Sequence, residues 1–346
     1  MNESILKQEI FEQPEVIRRL LDTEATKVEA IANELRGTFD YVVIAARGTS
    51  DNAARYAKYL FGAHNQLQVA LAAPSLFTLY KRPPDFSHAL VIGISQSGQS
   101  PDVVAVLEEA RQQARPTVAI TNDEDSPLSK AATHAISLRS GPERAIAATK
   151  TYSSSLVAIA LLSIYLNDDQ DGLSQMDQLP ILIDETLKNL KGPMQRIERY
   201  RYMEHCAVLG RGYNYATAYE IALKIKELTH IVAEPYSSAD FRHGPVGMVQ
   251  EGFPVILVAP AGAVYKDMTD LFHDLQAQHC ELLAISDQDE ILEQAQLAMR
   301  LPKNVPEWLT PVLAVLPGQL IGLHLAEAKG LDPDQPKGLH KVTETW

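Results

Sequence analysis

Short, nearly continuous apolar runs alternate with helical periodicity along most of the chain. Strand-like runs fall at residues 41–46, 68–72, 89–94, 117–121 and 135–138, with helical patterns between them and an amphipathic segment over 5–35 ahead of them. A long helix is predicted over 147–166, broken by the polar stretch 167–172, and further helices between 175 and 200. The strand pattern restarts at 206–209, 254–259 and 281–285. Strands apolar throughout and separated by helices predict parallel sheets covered on both faces, so the chain reads as two α/β units in tandem. Arg47-Gly48 and Arg211-Gly212 each follow a strand and precede an Ala-rich helix, a faint internal repeat that convergence of βα turns explains as well.

The run Ser95-Gln96-Ser97-Gly98-Gln99-Ser100 closes the apolar run 89–94 and opens a helix. Hydroxyls, a glycine and backbone N–H groups at a helix start suit an anion. With no Lys or Arg in the loop, a phosphate there meets neutral donors and the helix dipole. The plainer account is a polar turn in which Ser caps the helix. In doubly wound sheets ligands bind past the carboxyl ends of the strands, and both 95–100 and Arg47-Gly48-Thr49-Ser50 occupy such ends. Neither is a Gly-x-Gly-x-x-Gly loop or a Walker loop with its Lys, so a sugar phosphate fits better than a nucleotide.

Length and charge narrow the classes. The 346 residues suffice for two ordinary domains. A formal charge of −13 opposes nucleic acid and anionic membrane as partners. The ten histidines are scattered without metal-ligand spacing, and His205-Cys206 and His279-Cys280 lie on extended segments whose alternate residues face opposite ways; no metal and no cofactor are expected. Cys206 and Cys280 sit in apolar surroundings and read as buried thiols of a reducing compartment. The first residues lack a signal pattern, and the longest helical apolar run, 155–166, is too short for a bilayer, which together predict a cytoplasmic protein.

A second constellation lies in 220–228. Ile221, Ile225 and Leu228 form a core stripe at helical spacing, while Glu220, Lys224 and Glu227 form a charged one. Such a stripe is by itself a solvated face with i,i+4 pairing. After it, 233–245 reads as a polar loop in which His243 precedes a Gly244-Pro245 break, and a lone loop histidine is ordinarily just solvated.

These segments, with Gln8-Glu9-Ile10-Phe11-Glu12-Gln13-Pro14, Gly48-Thr49-Ser50, Ala148-Thr149-Lys150, Arg242-His243-Gly244-Pro245 and Asp334-Gln335-Pro336 followed by Leu339 and Lys341, occur in one order over nearly the whole chain. In them the chain resembles the sugar isomerase (SIS) family, above all the isomerase half of glucosamine-6-phosphate synthase and SIS-type glucosamine-6-phosphate deaminases. The resemblance implies two tandem flavodoxin-like αβα SIS domains with parallel sheets. Its parts would be a helical segment over 1–35, a first SIS domain over 36–170, a helical linker over 171–200, a second SIS domain over 201–331 and an active-site tail over 332–346.

It also implies roles. Thr49, Ser50, Ser95, Gln96, Ser97 and Ser100 would bind the sugar phosphate, with Arg47 and Ala148 near the sugar. Glu227 would move the proton between C1 and C2, and Lys224 would sit by the C2 substituent. In a homodimer, His243 would cross the interface to assist ring opening. Lys341 would meet the open-chain carbonyl as amine or Schiff base. A carboxylate, a second acid/base and a cation are what aldose–ketose isomerisation needs. The chain departs from the family at Arg47, where a cysteine is usual and extra positive charge results, at Ala148 in place of a serine, and in starting at the isomerase half, which leaves no glutaminase. The expected activity is an isomerising deaminase taking glucosamine 6-phosphate to fructose 6-phosphate and ammonia. Alternatives are a deglycase of a 6-phosphorylated Amadori compound, a phosphosugar aldose–ketose isomerase, and a non-catalytic sugar-phosphate sensor.

Overall fold

Among the described residues every strand pair is parallel, because each strand is reached through a helical crossover. The computed structural model describes residues 3–341. Residues 1–2 and 342–346, the extremities of the expected N-terminal segment and tail, lie outside it.

Chain contacts divide the described residues into two units: one holds 15–143, 150–179 and 340–341, the other 3–14, 144–149 and 180–339. In chain order the elements begin with α1 (Ile5–Phe11), α2 (Gln13–Leu35), β1 (Tyr41–Ala45), α3 (Thr49–His64), β2 (Gln68–Leu71) and α4 (Ser75–Thr78). There follow β3 (Ala89–Ile94), α5 (Pro101–Gln112), β4 (Thr117–Thr121), α6 (Pro127–Ala131), β5 (His134–Ser137) and α7 (Lys150–Asn167). Next come α8 (Gln170–Met176), α9 (Leu179–Asn189), α10 (Lys191–Met194), β6 (His205–Gly210), α11 (Asn214–Thr229), β7 (Val232–Ser237) and α12 (Ser238–Arg242). The chain ends with β8 (Pro254–Val258), α13 (Tyr265–Ala277), β9 (Glu281–Ser286), α14 (Asp289–Leu292), β10 (Leu297–Arg300) and α15 (Thr310–Ala328).

The first sheet has the order β2-β1-β3-β4-β5. Its central strands β3 and β4 are buried at every position, as their unbroken apolar sequences require. The second sheet has the order β10-β9-β8-β6-β7, which repeats the first strand for strand. This is the flavodoxin-like order, with a switch in crossover direction at β1/β3 and again at β6/β8. The expected fold class is therefore the observed one.

Four local expectations are corrected. The supposed polar loop 233–245 is strand β7 followed by α12; β7 is an edge strand, where Pro235 costs no hydrogen bond of a central ladder and apolar continuity is not needed. The opposite edge, β10, has only four residues and went unread. Helix α7 starts at Lys150, because 144–149 is held in a bent, non-helical course: Glu9 accepts the N–H groups of Arg144 and Ala145, and Gln319 donates to the Thr149 carbonyl. His279 takes a left-handed φ of 58°, so it and Cys280 do not share one extended segment. Both cysteines are nonetheless buried and free, and desolvation pushes the Cys206 thiol up to about 12.

The longest apolar helix is also not the expected one. Among the described residues Glu307–Ala328 is long and apolar enough to cross a bilayer by length and composition, yet it is buried inside its own unit. There α15 lies against α11, and glycines set the separation. A Cβ on Gly318 would stand 2.2 Å from Ile221 Cγ1, and one on Gly322 2.9 Å from Leu228 Cδ1. Gly318→Ala is accordingly expected to destabilise the protein by about 1–3 kcal/mol despite Ala's better helix propensity, because two helix backbones would have to part. Chemical denaturation checks this; a variant as stable as the parent would mean that the helix pair relaxes freely.

Candidate functional site

In the β1–β5 unit the two loops singled out from the sequence leave neighbouring strands, β1 and β3, at the switch point. Ser95 is buried at the end of β3, and its hydroxyl accepts the Gly98 N–H at 3.2 Å and lies 3.4 Å from Ser100 Oγ. Ser97 Oγ accepts the Gln99 N–H at 3.3 Å. Gly98 has φ 63°, and a Cβ there would meet Ser126 Oγ at 2.2 Å, so only glycine lets the loop turn this tightly.

Ser100 occupies the N-cap of α5, yet its side chain makes no capping hydrogen bond; Gly48, at the N-cap of α3, can make none. The turn is thus not the Ser-capped helix start of the plainer account. Two helix starts without side-chain caps, one carrying Thr49 and Ser50, flank the serines. Their partial positive ends and the hydroxyls together favour an anion.

Arg47 does not add the expected positive charge. Its Nε donates to Asp102 Oδ2 at 2.7 Å, Asp102 being fully buried in the first turn of α5, so the pair is formally neutral and ties the two loops together.

The tail residue Lys341 belongs to the same unit and donates to Glu143 Oε2 at 3.0 Å. Glu143 was not picked out from the sequence. Its carboxylate, with no exposed side-chain surface, also accepts the Thr151 N–H at 3.1 Å and hydroxyl at 2.8 Å, in the first turn of α7. Lys150 Nζ donates to the carbonyl of the preceding Pro142 at 2.8 Å. Ala148 is half-buried within 144–149, in the other unit.

In the β6–β10 unit, α11 brings Lys224 and Glu227 together. The charged stripe is no solvated face: Glu220 and Lys224 are 0% and 1% exposed. Lys224 Nζ stands 2.6 Å from Glu227 Oε2 and 3.4 Å from Glu220 Oε1, and of the three side chains only Glu227, 23% exposed, reaches solvent. Glu220 is the second residue that the sequence reading left without a role.

His243 is exposed at the C-cap of α12. Behind it Asp267 Oδ1 pairs with Arg242 at 2.9 Å, Oδ2 pairs with Arg211 at 3.0 Å, and Ser238 donates to the same Oδ2. Burial acts to raise the Asp267 carboxyl, but Ser238 and the two guanidinium groups outweigh it and hold the carboxyl below its usual range. Arg211–Asp267 occupies the place in this sheet that Arg47–Asp102 occupies in the first. The loop after β8 differs, however. It has no serines, Glu307 accepts the Ala263 N–H at 2.7 Å, Asp287 accepts that of Ala261 at 2.7 Å, and a Cβ on Gly262 would overlap the Glu307 carboxylate at 2.3 Å. Internal carboxylates thus sit where the first unit presents hydroxyls.

The SIS domain family model matches residues 40–165 and 201–326, one match on each sheet. The glutamine–fructose-6-phosphate aminotransferase (isomerizing) of Pyrococcus horikoshii is 32% identical over 344 residues, covering 98% of this chain and 57% of that protein. The chain thus spans little more than half of that relative's length. Among solved structures, the C-terminal domain of glucosamine-fructose-6-phosphate aminotransferase from Francisella tularensis superposes with a TM-score of 0.88 at 27% identity, covering 97% of this chain and 99% of that one. Glucosamine-6-phosphate deaminase from Thermotoga maritima gives 0.82 at 22% identity, with coverage of 99% and 100%, a likeness of fold.

Lys224→Met would leave Glu220 buried without its ammonium, and removing one partner of a buried pair costs about 3–5 kcal/mol. A loss of that size in denaturation is the expected outcome. No loss would mean that water enters the α11 cluster and solvates it.

Proposed function

Because the chain belongs to the SIS domain family, we propose that it is a phosphosugar isomerase of the deaminating kind, converting glucosamine 6-phosphate to fructose 6-phosphate and ammonia. The observation that carries this reading is the Lys224 cluster, in which a buried ammonium holds one solvent-accessible carboxylate, Glu227, at 2.6 Å. A sensor needs an anion loop but no such carboxylate.

The serine loop and the starts of α3 and α5 take the phosphate. On the open-chain aldose, Glu227 removes the proton from C2 and returns it to C1, which turns C1 into a hydroxymethyl group and C2 into a ketimine. Lys224, which stands beside two carboxylates, opposes the charge that develops on the enolate oxygen. Water then adds to C2, ammonia leaves and the ketone of fructose 6-phosphate remains. Cys206 and Cys280 are both buried, so neither serves as a nucleophile toward glutamine. In this reading ammonia is released to solution, and the protein is a cytosolic homodimer in which His243 serves the partner's sugar.

Purified protein is expected to release ammonia from glucosamine 6-phosphate, much less from glucosamine, and none from glutamine. Glu227→Gln should lower turnover by about 10²–10⁴-fold with fructose 6-phosphate binding retained. Release of a longer amine from N-substituted sugar phosphates, with glucosamine 6-phosphate inert, would replace the reading with a deglycase. Interconversion of unaminated sugar phosphates alone would leave a plain isomerase.

Two inactive homodimers test the histidine. Mixed after dissociation, Glu227→Ala and His243→Ala chains should regain activity, since one site per mixed dimer receives an intact Glu227 and an intact His243. If mixing restores nothing, His243 serves its own chain.

A further inference from the structure

A groove in the β6–β10 unit has no part in the chemistry proposed above. It lies between α1, the α9–α10 region and α15 and encloses about 410 Å³, within the range of small-molecule sites, about 300–1,000 Å³. Its floor is Leu187, Leu190, Met194 and Leu320, and Phe11 stands at its edge, 40% exposed. Each helical segment adds a basic residue on the same face as an apolar one: Lys7 four before Phe11, Lys191 three before Met194 and His324 four after Leu320. No carboxylate lines the groove among the described residues. Lys7 and His324 turn to exposed carboxylates beyond the lining, Glu3 and Glu327, each at 3.0 Å; such exposed pairs are weak, and a ligand displaces them at little cost. Lys191 has no carboxylate partner among the described residues. In a chain of formal charge −13, the groove is a local reversal of sign over an apolar surface.

We propose that this groove binds a small aromatic acid, with its ring over the leucines between Phe11 and Met194 and its carboxylate among Lys7, Lys191 and His324. The floor takes an apolar body out of water, which is the main gain. Phe11 and the Met194 thioether favour an aromatic body over an aliphatic chain, since ring–ring and sulfur–ring contacts add to the area buried. The basic groups choose an anion over a neutral molecule of the same shape, through charge-assisted hydrogen bonds. His324 uses Nδ1 toward Glu327, which leaves Nε2 for the acid. A polyhydroxylated sugar phosphate is a poor occupant, because the leucine floor offers its hydroxyls no hydrogen-bond partner. The site is separate from the α11 cluster but shares a helix with it: Leu320 lies two residues from both Gly318 and Gly322, so the groove and the α11 contact use opposite faces of α15. A bound acid bridges α1 and α15 and stabilises the packing around that helix.

A matched pair of probes tests this. Naphthaleneacetate and its neutral counterpart naphthylethanol are titrated by calorimetry into the full chain, as parent, Lys191→Gln and Phe11→Ala. The expected result is saturable binding of the acid to the parent, with the alcohol weaker by about tenfold or more. Lys191→Gln should weaken the acid by about fivefold and Phe11→Ala by about tenfold, and saturating fructose 6-phosphate should leave its affinity unchanged. Equal affinity for acid and alcohol overturns the proposal, as does an absence of binding at millimolar probe. Acid affinity unchanged in either variant overturns it by placing the probe elsewhere, and competition by fructose 6-phosphate overturns it by placing the acid on the serine loop. If Phe11→Ala fails to fold, Lys191→Gln decides, since Lys191 is exposed and its substitution disturbs no packing. The rival occupant is a second copy of the chain: Phe11→Asp then yields a smaller species in sedimentation and the parent binds no probe, which overturns the proposal. Ammonia release judges the proposed function separately.

Discussion

An ammonium ion taken out of water must be met by negative charge, and much of the β6–β10 unit follows from how Lys224 meets that demand. Two carboxylates on the same helix face it at i−4 and i+3, a spacing that only an intact α-helix provides. The helix in turn is held because the adjacent stripe, Ile221 and Leu228, fits against glycines of α15. Where Gly318 and Gly322 let α15 close on α11, Glu220 and Lys224 are sealed from water. Glu227, three residues on, lies at the margin of that seal. One packing arrangement therefore produces both a fixed cation and a carboxylate with access to a ligand.

Duplication supplied the frame twice, and the two copies diverged in their loops. Strand order is the same, and each copy keeps an Arg–Asp pair joining the loop after its first strand to the helix after its third. In the first copy the helix starts carry no side-chain caps and stand beside serines. In the second the helix starts are likewise without side-chain caps, but Glu307 and Asp287 accept N–H groups of the serine-free loop after β8. The repeated Arg-Gly dipeptide was thus a surface sign of a repeated ion pair, and not a convergence of turns.

What could be read from the sequence follows physical lines. Central strands apolar on both faces announced themselves, whereas β7, with Glu234, Pro235 and Tyr236 at a sheet edge, could not, since an edge obeys no strict pattern. The stripe Glu220, Lys224, Glu227 has the same spacing whether solvated or buried; burial depends on α15, about a hundred residues away in the chain, and no local pattern encodes it. Arg47 was seen as a charge, but its neutralisation by Asp102 is a tertiary fact. Glu143 carries no motif, and its partner lies 198 residues further on. Resemblance supplied the roles of several residues. The geometry supplied their partners.

The ion pair between Arg47 and Asp102 has one more consequence, in the kinetics of encounter. The chain carries a formal charge of −13, and the phosphate loop itself holds no cation to offset it. Under the proposed function, with Arg47 already matched to Asp102, a doubly charged phosphate ester would approach against a repulsive field and be welcomed only at contact range, by hydroxyls and helix ends. Added salt shortens the reach of that field, to about 10 Å at 0.1 M. On that reading capture of the ligand would quicken as ionic strength rises, opposite to the behaviour of a site that draws its anion in with lysines.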